Sequence, residues 1–135
     1  MKCIMIVDGD LPIGLIANTT AALGISIASE VNGLTGKKLL DKDGRVHQGI
    51  TNIPIPILTL PREEIRVKYD EMLEKNDSDI KIIGFNETAQ KPLNYENYEL
   101  KLSKTKKDQI NYLGLCLYGP KKKINKLTGN LRMLR

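Results

Sequence analysis

Apolar residues along this chain alternate between short continuous runs and helically spaced stripes. Lys2–Val7 is apolar after its first residue and is cut off by Asp8-Gly9-Asp10, the pattern of a central strand ending in a turn. Pro12 suits a first helical turn. From Ile13 to Glu30, the residues Ile13, Ile16, Ala17, Thr20, Leu23 and Ile27 fall mostly on one face of a helix. Small Ala17, Ala21, Ala22 and Gly24 let that helix lie close to a sheet. Asn32-Gly33 and Thr35-Gly36 end it, and Lys37–Leu40 and Arg45–Gly49 then flank Asp41-Lys-Asp-Gly44, a hairpin signal.

Ile53–Leu60 has strand residues, but Pro54 and Pro56 confine its first half to an edge or irregular stretch. Pro61 opens a second helix, Arg62–Lys75, with Ile65, Tyr69, Met72 and Leu73 predicted inward. Asp79–Phe85 reads as a third strand, and one or two more polar helices follow between Glu87 and Lys104. Tyr112–Tyr118 is a last buried strand. Gly119-Pro120 opens a short basic helix, Gly129 is expected to close it in a left-handed conformation, and Asn130–Leu134 is an apolar tail.

Strand and helix alternating through a single domain, residues 1–135, predict an α/β fold. The expected architecture is a three-layer α/β/α sandwich on a mixed sheet of about four strands, with an added β-hairpin. Helix one should pack through Ile16, Leu23 and Ile27. Ligands of open α/β sheets gather beyond the carboxyl ends of the strands, which directs attention to Asp8–Thr19.

Charge adds a direction. From Lys101 onward there are ten basic residues and one acid, whereas the preceding hundred carry eleven and fifteen, so the net +5 comes from the C-terminal third. Lys121, Lys122, Lys123 and Lys126 form its core, a basic patch of the kind a phosphate-bearing partner would need and that a solvated surface also carries. Cys3 and Cys116 sit in strand-type runs, as reduced packing residues of a cytoplasmic protein do. With one histidine and no Cys-x-x-Cys pair, neither metal nor cofactor is expected. No uninterrupted apolar run reaches the length that spans a membrane.

Candidate chemistry is sparse. Asn18 and Thr19 interrupt a helix of small and apolar residues that neither favours. They either satisfy nearby backbone or face a ligand, where the Asn18 amide could both donate and accept. Asp8 and Asp10 are acid–base candidates, although carboxylates beside a glycine in such a turn more often bind loop N–H groups. His47 has no nearby serine or cysteine for a triad and is left as an isolated general-base candidate. No catalytic residue is assignable.

Both ends of the chain resemble type-two peptidyl-tRNA hydrolases. Gly119-Pro120, Ile124, Lys126, Leu127, Thr128, Gly129 and Leu131 fall on matching positions without a gap, as do Lys2–Asp8 and the segment Asp10-Leu11, Gly14, Ile16-Ala17 and Ala21. With His47–Leu58 included, the chain is similar to a bacterial branch of uncharacterised proteins in that superfamily, a domain of unknown function. The resemblance implies the family's fold and tRNA as a partner to be tested, and a ligand is expected in the cleft around Asn18 at the start of helix one, with Gly14 among its candidate residues. Leu15 stands where active hydrolases have a lysine, Ala22 where they usually have a histidine, and Leu100–Tyr112 lacks their Gly-Ser turn. The expectation is therefore a binding module for a small molecule or protein, without hydrolase activity. A homodimer is also open, and the alternative is an ester hydrolase with rearranged residues.

Overall fold

The computed structural model describes residues 1–90 and 94–135. Its main sheet has five strands in the order β5-β6-β1-β4-β7, formed by β1 (Lys2–Val7), β4 (Ile57–Thr59), β5 (Lys81–Asn86), β6 (Tyr112–Gly119) and β7 (Arg132–Met133). Only the β1–β4 pair is parallel among the described strands; the other three pairings are antiparallel. The two long apolar runs are central neighbours, with Ile4 opposite Leu117 and Ile6 opposite Leu115. The fifth strand exceeds the expected four. The tail read as merely apolar bends back after Thr128, where Leu131 N–H donates to Thr128 O, and pairs Met133 with Leu58. Pro54 and Pro56 shorten the strand run to Ile57–Thr59, yet β4 is interior because β7 covers it.

Alternation on β1 sorts the core into two layers. Cys3 and Met5 face helix α1 (Ile13–Glu30), where they meet Leu23, Ile27 and Cys116. Ile4 and Ile6 point the other way, into a cluster with Ile65 and Met72 of α2 (Arg62–Lys75) and Ile124 of α5 (Lys121–Thr128). Helices thus cover both faces of a mixed α/β sheet. Two short helices, α3 (Glu87–Gln90) and α4 (Tyr95–Ser103), lie in the segment expected to be polar and helical.

Several inward assignments shift. In α1 the buried residues are Thr19, Leu23 and Ile27, while Ile16 is half-buried and Ile13, in the first turn, is exposed. Leu73 of α2 is likewise exposed: it lies eight residues after Ile65, more than two helical turns, and has rotated off the buried face. Pro12, Pro61 and Pro120 stand immediately before the first residues of α1, α2 and α5, and their carbonyls accept the first intrahelical bonds. Gly129 is right-handed (φ −64°, ψ −20°), so α5 closes without the left-handed residue expected there. Helix α1, with a mean hydropathy of 1.2 over 18 residues, is long and apolar enough by composition to cross a membrane; here it lies along the sheet. Counting uninterrupted apolar residues missed this, because Asn18, Thr19 and Thr20 divide an otherwise apolar helix.

The predicted hairpin forms β2 (Leu39–Leu40) and β3 (Val46–His47), a two-stranded sheet of its own. Asp41 Oδ1 accepts from the Asp43 and Arg45 amides, and Gly44 takes φ +81°, a conformation side chains resist.

Candidate functional site

Parallel neighbours β1 and β4 send their chains to opposite faces, β1 into α1 and β4 into α2. A crevice opens where such connections diverge, beyond the carboxyl ends of the strands. A cavity of about 350 Å³ occupies this place. Its walls are the β1–α1 turn (Asp8, Gly9, Asp10), the β4–α2 turn (Thr59, Leu60, Pro61) and the α5–β7 turn (Asn130, Leu131, Arg132).

Asp8 is the buried carboxylate among the described residues, and its oxygens are engaged. Oδ1 accepts from the Asp10 amide at 2.9 Å and Oδ2 accepts from Arg62 Nε at 3.3 Å. The carboxylate thereby holds its own turn and ties it to the first residue of α2, matching the loop-binding alternative raised from sequence. Gly9 N–H donates to Thr59 Oγ1 at 3.0 Å and joins the two turns across the cleft floor. Asp10 is exposed on the lining, as is Arg132, so a carboxylate and a guanidinium both front the cavity. The cavity can thus offer a ligand acceptors from Asp10 and donors from Arg132 and Asn130.

The other candidates lie elsewhere. Thr19 is fully buried against β6, with Oγ1 donating to Leu15 O at 2.8 Å, so it is inaccessible to a ligand and serves the helix–sheet interface. Asn18 and Gly14 are exposed on α1 and do not line the cleft. His47 sits on the hairpin, where Nε2 contacts Asp41 Oδ2 at 2.9 Å; that contact and the Arg45 amide hold the Asp41 carboxyl below its usual range. In the basic patch, Lys121, Lys122 and Lys126 are exposed, but Lys123 is bound to Asp77 and Asp79 at 2.8 Å each. Of the four lysines named as a basic patch, three are thus exposed and the fourth is held in ion pairs.

Sequence reasoning missed Arg62, Thr59, Asn130 and Arg132. Thr59 and Arg62 bracket Leu60-Pro61 and were legible as a strand end. Asn130 and Arg132 were not, because only the pairing of β7 with β4 brings the tail to the cleft. Among the described residues, no group of three or more His, Cys, Asp or Glu side chains converges to hold a metal ion.

No curated protein matches the chain. A solved structure, that of the protein of unknown function Atu0240 from Agrobacterium, is similar with a TM-score of 0.84 and 20% sequence identity, over 98% of this chain and 96% of that one. At this identity the likeness speaks for the fold alone. The family model described as a protein of unknown function (DUF2000) matches residues 1–135, and the chain belongs to that family.

Proposed function

We propose that this protein is a binding module of the peptidyl-tRNA hydrolase type-two-like superfamily, without hydrolase activity, that takes a small polar ligand in the cleft between the β1–α1 and β4–α2 turns. The observation that carries the reading is the state of Asp8. The buried carboxylate of the cleft accepts from the Asp10 amide and Arg62, so it supports the walls and is not free as a base. Leu15, in place of the family's lysine, points the same way, since an uncharged side chain cannot polarise an ester carbonyl. The ligand would meet Asp10, Asn130 and Arg132. The resemblance at both chain ends supports the superfamily assignment, and the two buried free thiols suit a cytoplasmic setting.

A thermal-shift screen against metabolites tests the binding reading. For a compound that stabilises the protein, Arg132→Gln or Asp10→Asn should weaken affinity roughly tenfold or more, as expected for hydrogen bonds to charged groups. Equal stabilisation of wild type and both variants would exclude the cleft. Beside an authentic hydrolase, cleavage of a model peptidyl-tRNA should be slower by on the order of a hundredfold or more. Turnover within about tenfold of that control would restore the hydrolase alternative.

The outer face of α1 favours a second reading, a partner surface for another copy of this chain. No residue from Ile13 to Ser29 is charged, and Ile25, on the side of the helix opposite Leu23 and Ile27, is 76% exposed. In a chain of net +5, an uncharged face lets two identical copies meet without opposing like charges.

A further inference from the structure

A second cavity, of about 340 Å³, lies on the α2–α5 face between the last turn of α2, the start of β5, and α5. Helix α2 begins at the cleft and ends here; its 14 residues separate the two places by about 20 Å at 1.5 Å per residue. Met72, Ile80, Ile82 and Leu127 make the floor, and all four belong to or pack against the core on that side.

The rim is charged, and its charges are unevenly matched. Lys123 Nζ donates to Asp77 Oδ1 and Oδ2 at 3.0 and 2.8 Å and to Asp79 Oδ2 at 2.8 Å. This bracket fixes α5 to the turn before β5 and holds one wall in place. Lys75 and Lys126 also line the cavity, and neither is in an ion pair among the described residues. With Asp79 counted because Lys123 also binds it, three ammonium groups against two carboxylates leave one positive charge beside an apolar floor.

That combination is selective. A neutral polar molecule would desolvate against the floor without compensation. A cation would meet unpaired lysines, and a polyanion would face Asp77 as well. The volume lies at the low end of small-molecule sites. We propose that this cavity binds a small amphipathic monoanion, an apolar body on Met72, Ile80, Ile82 and Leu127 with a single carboxylate facing Lys75 and Lys126. The site is independent of the cleft, so either can fail without the other.

Decanoate, used below its micelle concentration, is a suitable probe, with decanol and decyltrimethylammonium for comparison. Titration of the full chain followed by amide NMR and calorimetry should give saturable one-to-one binding, with shifts in residues 72–82 and 123–127. Decanol and the cation should bind more weakly, and added salt should weaken decanoate. The double variant Lys75→Gln/Lys126→Gln should lose roughly five- to tenfold in affinity, as for two partly exposed ion pairs. Lys104→Gln, an exposed lysine outside the cavity, should lose nothing. Leu127→Asn should also reduce binding. Should that variant misfold, the exposed lysine pair still decides the matter. Equal affinity for decanol or the cation, an unchanged double variant, or shifts confined to other regions would overturn the proposal.

Discussion

Thr19 shows how a single polar residue acquires its role from what it touches. Its hydroxyl is satisfied by Leu15 O within the helix, and its Cγ2 methyl presses on β6 at Gly114. A Cβ added at Gly114 would stand 2.7 Å from that methyl and 3.0 Å from Ile6 O, a backbone atom with little freedom to move. Gly114→Ala is therefore expected to destabilise the fold by about 1–3 kcal/mol, the usual cost of overpacking a core, measured by urea unfolding. A change within experimental error would mean that α1 can lift off the sheet at no cost. Asn18→Ala, by contrast, should leave the melting temperature nearly unchanged, since its side chain is exposed.

Between elements, the Lys123 bracket joins α5 to the Asp77–Asp79 turn that feeds β5. Hydrogen bonds from Lys123 and the Asp79 amide hold the Asp77 carboxyl below its usual range, and the two carboxylates raise the Lys123 ammonium. A carboxyl depressed in the folded state stabilises fully above its unfolded pKa of about 4 and loses that contribution as pH falls through the folded value. A raised lysine stabilises fully below about 10.4 and loses its contribution as pH rises through its folded value. Lys123→Met should thus melt below wild type near neutral pH. The gap should close as the solution is acidified below the ordinary carboxylate range, and melting curves from pH 7 down to about 2 would follow it. A gap constant through that range would assign the loss to packing of the lysine stem instead.

For the whole molecule, the sheet divides the core in two, and α1 is the element whose outer side lacks charge. If that side joins two copies, light scattering should give twice the 15.1 kDa chain mass. Ile25→Glu should return the protein to a monomer with little change in its unfolding midpoint, because its side chain is exposed. A wild type that stays monomeric at high concentration, or that is monomeric and binds lipid vesicles through α1, would reject the dimer.

Local pattern was enough to place β1, α1, the hairpin, α2, β6 and α5, since apolar spacing and the punctuation by Pro and Gly act over a few residues. It also singled out Asp8-Gly9-Asp10, because a strand followed by a helix implies a turn at the carboxyl end of the strand. Long-range pairing decided the rest. Arg132 reached the cleft because β7 hydrogen-bonds to β4, some seventy residues earlier in the chain. Asp8 became a structural carboxylate because Arg62, the first residue of α2, lies 3.3 Å away. Lys123 left the basic patch for Asp77 and Asp79, and Thr19 turned inward while its neighbour Asn18 faced solvent. A residue's type bounds which bonds it can make; only the neighbours supplied by the fold determine which of them are made.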